Sequence, residues 1–194
     1  MKRLLLLSGP IAVGKSAVAK LLVEQHDFQK LGSGQYLEEL AEKQGKGTSR
    51  AELQALGDAL DVATDHRWVI DEIVKVRMAA APDQKAWLFD SVRKKRQLIN
   101  FKDIYGRLAL HVHLNAPEEV LQQRYEARLA NGGEYAGSTA YNVAKSHPNE
   151  VESCSLIEVA DIVVDLSKKP PEKAAAEILE QWDIGGKHAP GSSD

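Results

Sequence analysis

The sequence contains a single cysteine, Cys154, among its 194 residues. An internal disulfide is therefore excluded, and with it the class of small secreted proteins that disulfides hold together. Because Cys154 stands alone in a stretch with helical spacing, we expect it to contribute to packing rather than to act as a nucleophile. So little cysteine is typical of a reducing compartment, which favours a cytoplasmic protein.

Long apolar segments and a strong charge of one sign are also missing. No stretch approaches the roughly 20 apolar residues that a membrane-spanning helix needs. The opening MKRLLLLSGP begins like a signal peptide, but Gly-Pro and a lysine interrupt its apolar run early. With 25 basic and 28 acidic residues the net charge is -3. We therefore expect neither a membrane nor a nucleic-acid polymer as a partner.

Apolar residues occur in short runs that alternate with helical patterns. This alternation is typical of βαβ units, which build a mostly parallel sheet with helices on both faces. With 43% hydrophobic residues and no linker, the chain predicts one three-layer α/β domain over residues 1–184 and a disordered tail over 185–194. The runs that predict buried strands are 4–7, 29–31, 86–89, 108–114 and 162–166.

Two further regions have less regular patterns. Residues 50–78 carry many charges at helical spacing, which predicts two helices in a surface subdomain. A short helix is predicted over 150–160. The segment 131–141, between the helix predicted from Pro117 and this short helix, is rich in glycine, and we expect it to be mobile.

The most informative stretch is GPIAVGKS, which runs from Gly9 to Ser16 between a predicted strand and a predicted helix. It fits the phosphate-binding pattern G-x-x-x-x-G-K-[ST] in the required context. Gly9 and Gly14 let the backbone curl so that successive N–H groups face phosphate oxygens. Lys15 can reach the β- and γ-phosphates, and the Ser16 hydroxyl can bind Mg²⁺. The flanking pattern disfavours the alternative of an ordinary turn.

The motif predicts that the chain binds ATP with Mg²⁺, but it does not specify the reaction. A GTPase would carry Asn-Lys-x-Asp after a later strand, where this chain has Leu114 to Pro117. The chain is also short for a mechanical ATPase, so a small phosphotransferase is favoured. The loop residues predicted to bind the nucleotide are Gly9, Ile11, Ala12, Val13, Gly14, Lys15, Ser16 and Ala17.

The stretch FDSVRKKRQ, residues 89–97, follows a predicted buried strand. Asp90 stands at the carboxyl end of that strand, where ligands bind in open α/β sheets, and it is placed to hold Mg²⁺. A functional role is also favoured for Arg93 in the following turn. We expect the other basic residues of the run to lie on the surface; they are Lys94, Lys95 and Arg96.

Two arginines lie four residues apart in APEEVLQQRYEARLANGG, a predicted helix that begins at Pro117. Arg124 and Arg128 therefore project from one helix face. Paired cations of this kind stabilise the negative charge that develops on a transferring phosphoryl group. The alternative is a surface helix in which the arginines form salt bridges with Glu126.

Taken in order, these stretches resemble the nucleoside monophosphate kinase group, in particular the phage-type deoxynucleoside monophosphate kinases and the adenylate kinases. LGSGQYLEEL at 31–40 and SHPNEVESCSLIEVADIVVDLS at 146–167 extend the resemblance over most of residues 3–181. The resemblance implies an acceptor subdomain at about 33–80 and a short lid at about 129–147.

The resemblance also implies roles for individual side chains. One of the two helix arginines stacks near the donor adenine and the other binds phosphates, which makes Arg124 a second nucleotide-binding prediction. Residues 129–194 contain no arginine, so Lys145 and His147 are the candidates for further lid cations. The residues implied to bind the acceptor are Ser33, Gly34, Arg50, Arg67, Arg93 as the phosphate clamp and Gln97 as the base reader.

The implied function is transfer of the γ-phosphoryl group of Mg·ATP to a nucleoside or deoxynucleoside monophosphate. The catalytic residues are then Lys15, Asp90, Arg93, Arg124 and Arg128, with Ser16 and Asp90 at the metal. A monophosphate needs no general base, because it is already an anionic nucleophile. A nucleoside, antibiotic or other small hydroxyl compound would need one, and Asp90 could serve. A nucleotide-binding switch with little turnover is the third possibility.

Other residues that could suggest a site favour a structural role. His111 and His113 fall on one face of a predicted strand without a third ligand, so we expect them to be packed or hydrogen-bonded rather than bound to a metal. We also expect packing roles for Trp68, Trp87 and Trp182.

Overall fold

A computed structural model of the protein describes residues 3–131 and 139–187; for Arg50 and residues 183–187 it describes the backbone alone. Five strands lie within these ranges: β1 (Arg3–Ser8), β2 (Phe28–Leu31), β3 (Ala86–Phe89), β4 (Ala109–Asn115) and β5 (Ile162–Asp165). They form one parallel sheet in the order β2-β3-β1-β4-β5. The predicted class, a three-layer α/β fold of the P-loop type, is confirmed.

The described helices cover both faces of the sheet. A π-helical segment, Val69–Val74, leads into the fourth helix, and short 3₁₀ turns occupy Gly106–Leu108 and Leu156–Val159. The α-helices are α1 (Lys15–Gln25), α2 (Gly34–Lys43), α3 (Arg50–Ala63), α4 (Lys75–Ala80), α5 (Lys95–Tyr105), α6 (Glu118–Ala130), α7 (Tyr141–Lys145), α8 (Pro148–Ser155) and α9 (Pro171–Lys187).

The central strand explains why its sequence is an unbroken apolar run. Leu5 and Leu7 pack on one face of the sheet with α1, α6, α7 and α9. Leu4 and Leu6 pack on the other face with α2 to α5 and the π-helical segment. All four leucines are fully buried, as expected for a parallel strand covered on both sides.

Two predicted helical regions are divided in the structure. Within 50–78 a capping box at Ser49 starts α3, and positive φ angles at Asp65 and His66 end the helical path before the π-helical segment begins. The helix predicted at 150–160 starts earlier, because Pro148 occupies its first turn and the His147 side chain accepts a hydrogen bond from the Asn149 N–H. It changes to a 3₁₀ turn at Leu156.

Several smaller expectations can also be compared with the structure. Residues 132–138 of the glycine-rich segment and 188–194 of the tail lie outside the described residues, while α9 extends through Lys187. The three tryptophans are buried as expected. Cys154 is exposed rather than packed, because Asn149 and Ser153 form the buried face of α8. None of the described helices has the length and apolar character needed to cross a bilayer.

Candidate active site

The loop between β1 and α1 has a conformation that depends on its glycines. Gly9 has a φ of 138° and Gly14 a φ of 111°, values that residues with a Cβ rarely adopt. A Cβ on Gly9 would also collide with the backbone carbonyl of Leu114, the penultimate residue of β4. The loop therefore curls tightly over the carboxyl end of the sheet, as the motif predicts.

Helix α1 presents the positive end of its dipole to this loop. Gly14 is its N-cap, and among the described residues no side chain caps the helix and no acid stands in its first turn. Uncapped N–H groups at a helix start bind anions well. Lys15 Nζ lies in the same place and donates hydrogen bonds to the carbonyl oxygens of Pro10, at 3.0 Å, and of Gly9. Burial lowers the pKa of Lys15 to about 8.

A cavity of about 200 Å³ opens beside the loop, and we call it the phosphate cavity. Among the described residues that line it, four cationic side chains face two carboxylates, so a polyanion is favoured there. The lining residues are Pro10, Ile11, Ala12, Val13, Gly14, Lys15, Ser16, Lys30, Asp90, Ser91, Arg93, Arg128 and Glu150.

The phosphate cavity contains oxygen donors that suit Mg²⁺. Ser16 contributes a hydroxyl and Asp90, directly after β3, contributes a carboxylate. Both are hard donors of the kind that Mg²⁺ prefers, and Mg²⁺ is usually held by one or two carboxylates and substrate phosphates. Within the described ranges no group of three or more His, Cys, Asp or Glu could hold a metal alone. The residues present therefore fit a magnesium ion that arrives with a nucleotide.

The two arginines of α6 have different surroundings. Arg124 donates from Nη1 to the Val13 carbonyl at 3.0 Å and from Nη2 to the Leu166 carbonyl at 2.7 Å. Its guanidinium thus ties the phosphate loop to the residue that follows β5, and it is not among the residues lining the phosphate cavity. Arg128 does line that cavity.

The two candidates for lid cations lie away from the phosphate cavity. Lys145 pairs with Glu118 of α6. His147 Nε2 lies 2.7 Å from the Gln54 side-chain nitrogen of α3. Only the flanks of the predicted lid, up to residue 131 and from 139, belong to the described residues.

A second cavity, of about 160 Å³, lies between α3 and the end of β3, and we call it the acceptor cavity. It shares Ser91 and Arg93 with the phosphate cavity. The predicted acceptor residues Ser33 and Gln97 line it together with Arg93. The other described lining residues are Leu37, Leu53, Gln54, Gly57, Asp58, Asp61, Trp68, Val69, Phe89, Lys94 and Asn149.

The acceptor cavity contains an unpaired buried acceptor atom. Gln97 is 5% exposed, and its Oε1 has no hydrogen-bond partner among the described residues. An unsatisfied buried polar atom is unfavourable by about 1–3 kcal/mol, so such an atom in a native protein needs an explanation. A ligand that donates a hydrogen bond to Gln97 would supply one.

Carboxylates form another part of the acceptor cavity wall. Asp61 accepts a 2.7 Å hydrogen bond from Trp68 Nε1, which fixes its orientation. Asp58 lies 3.6 Å from Lys94 Nζ. Where the two cavities meet, Arg93 Nη1 lies 3.2 Å from Glu150 Oε1. This ion pair holds the guanidinium at the junction.

The remaining predicted acceptor residues are less central. Arg67 lies 3.4 Å from Asp71 on the surface and is not among the lining residues of either cavity. Gly34 starts α2 next to Ser33, with open space around its Cα. The side chain of Arg50 lies outside the described residues; its backbone starts α3.

The two buried histidines of β4 form a hydrogen-bond chain with Ser8, the last residue of β1. Ser8 Oγ lies 2.7 Å from His111 Nε2 and 2.8 Å from His113 Nδ1, and His111 Nδ1 lies 3.3 Å from the Val159 carbonyl. Since a carbonyl only accepts, His111 Nδ1 carries the proton, Ser8 donates to His111 Nε2, and His113 Nδ1 donates to Ser8. Burial lowers the pKa of both rings, that of His113 to about 4. The hydrogen-bonded role is confirmed.

Several lining residues were not predicted from the sequence. Lys30 of β2 reaches Asp90 at the edge of the sheet, and its place in a short strand before Ser33 was the available signal. Asp58 and Asp61 have the i, i+3 spacing of one helix face, but the many other charges of residues 50–78 give this pair no distinct signal. Lys94, expected on the surface, is only 18% exposed in its side chain, because it lies between the carboxylates of Asp58 and Glu152.

Comparison with known proteins agrees with this geometry. A family model described as an AAA domain, AAA_18, matches residues 5–152. The chain belongs to this family. The match includes the phosphate loop, Asp90 and the residues that line the acceptor cavity. No curated protein sequence matches the chain.

Solved structures with the same fold include three kinases. A shikimate kinase from Aquifex aeolicus vf5 is 18% identical with a TM-score of 0.56, and the match covers 96% of this chain and 99% of that one. A gluconokinase from Sinorhizobium meliloti 1021 is 15% identical with a TM-score of 0.50, and the match covers 94% of this chain and 92% of that one. A sugar kinase from Janibacter sp. HTCC2649 is 17% identical with a TM-score of 0.53, and the match covers 98% of this chain and 100% of that one. The predicted P-loop enzyme with a kinase fold is confirmed. None of these matches singles out the nucleoside monophosphate kinases.

Proposed function

We propose that this protein transfers the γ-phosphoryl group of Mg·ATP to a nucleoside monophosphate. The observation that carries the proposal is the position of Arg93, which lines the phosphate cavity and the acceptor cavity at once. An acceptor phosphate and a transferring phosphoryl group meet at such a junction. A cation there would stabilise both the bound acceptor and the charge of the transition state.

The donor side of the reaction would use the phosphate cavity. The N–H groups at the start of α1 and the Lys15 ammonium would bind the β- and γ-phosphates. Ser16 and Asp90 would hold Mg²⁺, which when bound neutralises phosphate charge and orients the phosphates for transfer. Arg124 would act indirectly by holding the Val13 carbonyl in place, and Arg128 would face the phosphates.

The acceptor side would use the acceptor cavity. The unpaired Oε1 of Gln97 suits an N–H donor such as the exocyclic amine or ring N–H of a nucleobase. Ser33 offers a hydroxyl, and Arg93 offers a planar guanidinium that matches phosphate geometry. An acceptor phosphate is already an anionic nucleophile, so positioning and charge stabilisation would suffice for the chemistry.

Arg93→Ala tests this assignment. We expect the KM for the acceptor to rise by about 10- to 100-fold while the KM for ATP changes less than threefold, because loss of a phosphate-binding charge mainly weakens the acceptor. Initial rates at varied ATP and varied acceptor provide both constants. Lys95→Ala, an exposed neighbour on α5, is the matched control and should change neither. Equal losses for ATP and acceptor would contradict the role of Arg93.

A small hydroxyl compound is the second candidate acceptor, and Asp58 and Asp61 in the cavity wall favour it. The structural neighbours named as shikimate kinase, gluconokinase and sugar kinase point the same way. Carboxylates bind hydroxyl groups well, whereas they repel an acceptor phosphate.

Asp58→Asn separates the two candidates by the sign of its effect. With a monophosphate acceptor, removing a negative charge leaves kcat/KM for the acceptor unchanged or raises it by about two- to fivefold. With a hydroxyl acceptor that donates to Asp58, kcat/KM falls by about tenfold or more. Asp83→Asn in the exposed turn before β3 is the isosteric control. A fall with Asp58→Asn alone would favour the hydroxyl acceptor.

A further inference from the structure

Lys30 extends from β2 into the phosphate cavity and pairs with Asp90. Its Nζ lies 2.6 Å from Asp90 Oδ2, and both side chains are among those lining the cavity. Lys30 lies opposite Leu88 in the pairing of β2 with β3, and Asp90 follows Leu88 by two residues. The Lys30 side chain is 49% exposed, whereas the Asp90 side chain is 12% exposed.

The partner of Lys30 is the carboxylate that fits a magnesium ion. An ammonium and a divalent cation at one carboxylate repel each other. The attraction between Lys30 and Asp90 therefore weakens once Asp90 binds Mg²⁺. A half-exposed lysine on a flexible four-carbon stem can move to another anion nearby. The closest anions would then be the phosphates of the nucleotide in the same cavity.

Two other cations of the phosphate cavity have neighbours that restrain them. Lys15 is held by two backbone carbonyls of the phosphate loop, and Arg93 is paired with Glu150. The Lys30–Asp90 contact differs because one of its partners is the proposed metal-binding residue. Binding of Mg·ATP would therefore release Lys30 while leaving the contacts of Lys15 and Arg93 in place.

We propose that Lys30 is a further phosphate-binding residue of this enzyme, held on Asp90 in the free protein and transferred to the nucleotide phosphates when Asp90 takes up Mg²⁺. The inference rests on the proposed Mg·ATP chemistry but not on the identity of the acceptor. Lys30 would thus be a phosphate-binding cation that comes from β2 and not from the phosphate-loop motif.

A double-mutant cycle on nucleotide binding tests the proposal without any acceptor. Wild type, Lys30→Gln, Asp90→Asn and the double variant are titrated calorimetrically with a non-hydrolysable ATP analogue, in excess Mg²⁺ and in EDTA. Lys20→Gln serves as the matched control, since Lys20 forms an exposed pair with Glu24 on α1 at 3.8 Å.

In Mg²⁺, Lys30→Gln should weaken analogue binding by about five- to tenfold. In EDTA it should change the affinity less than twofold, because Lys30 then stays on Asp90. Asp90→Asn should tighten metal-free binding by releasing Lys30, and the double variant should lose that gain. A merely structural pair would give equal effects of Lys30→Gln with and without Mg²⁺.

The possible failures can be told apart. Equal effects in both conditions, or an effect no larger than that of Lys20→Gln, would overturn the role of Lys30 while leaving the proposed function intact. Retention of the Asp90→Asn gain in the double variant would also overturn it. If the wild-type protein bound no ATP analogue in either condition, both this inference and the proposed function would be wrong.

Discussion

The two cavities of this protein are built in contrasting ways. The phosphate cavity is lined largely by one continuous segment, Pro10 to Ser16. The acceptor cavity is lined by residues of α2, α3, the π-helical segment, β3, α5 and α8 and of the turns between them. A phosphate can be bound by backbone N–H groups and a helix start, whereas discrimination among acceptors requires side chains from several elements.

The two cavities also differ in the charges of the side chains that line them. Cations outnumber carboxylates around the phosphate cavity, which suits a polyanionic donor. The acceptor cavity combines Arg93 and Lys94 with Asp58 and Asp61, so a ligand there would need a specific arrangement of hydrogen-bond donors and charges. If the proposed function holds, substitutions in the short loop should affect ATP, whereas substitutions around the acceptor cavity should affect the acceptor through several separable contacts.

The largest expected effect comes from Lys15. Lys15→Ala should reduce turnover by at least about 10³-fold, because it removes the phosphate-loop cation that would stabilise the negative charge developing on the transferring phosphoryl group. Stopped-time assays of ADP formation measure the loss, and a thermal melt checks the fold. Lys20→Ala, on the exposed side of the same helix, should retain turnover. Near-normal activity of Lys15→Ala would show that the phosphate cavity is not the reaction site.

A pH-dependent loss of stability should come from the buried hydrogen-bond chain of Ser8, His111 and His113. Burial lowers the pKa of His113 from 6.5 to about 4, so the unfolded chain takes up its proton before the folded chain does. Stability from this residue is therefore present above pH 6.5 and lost as the pH falls towards 4. At 1.36 kcal/mol per pKa unit this loss is about 3 kcal/mol.

Denaturant unfolding at pH 7 and pH 4 measures this loss, and His113→Gln should reduce the pH dependence by about that amount. If the variant fails to fold, an NMR titration of His113 in the wild-type protein provides the same test. A His113 pKa near 6.5 would contradict the account of the buried chain.

A smaller effect should appear in nucleotide binding at high pH. Burial lowers the pKa of Lys15 to about 8, and phosphate binds the protonated form. In EDTA, affinity for ATP should therefore fall by about tenfold between pH 7 and pH 9. Binding by Lys15→Ala should be weak and nearly independent of pH over this range. An affinity for the wild-type protein that stays level to pH 9 would show that Lys15 keeps its ordinary pKa.

The sequence predicted the phosphate cavity and the sheet around it because both depend on local patterns. The leucine run of β1 and the spacing of Gly9, Gly14 and Lys15 carry that information within a few residues. The ends of the helices between 50 and 78 were harder to predict, since they depend on positive φ angles at Asp65 and His66. Asp and His adopt such angles more often than most residues, but still too rarely for the sequence to predict them at a given position.

The acceptor cavity was predicted only where the family resemblance reached. Ser33, Arg93 and Gln97 were expected from the matched stretches, and the structure brings them to one cavity. Asp58 and Lys30 have no strong signal in the sequence because their partners, Lys94 and Asp90, lie far along the chain. Asp61 contacts Trp68 only seven residues away, but nothing local marks either residue as part of a cavity wall. Arg124 donates to two backbone carbonyls, which its spacing from Arg128 did not indicate, and its role at the phosphates stays a prediction.

The most direct test of the central claim is ADP production from Mg·ATP in the presence of individual acceptors. The panel contains ribo- and deoxynucleoside monophosphates and small hydroxyl compounds, and a reaction without acceptor gives the background. Our account predicts strong stimulation by one or two monophosphates and background rates with the hydroxyl compounds. Stimulation by a hydroxyl compound alone, with every monophosphate at background, would contradict it.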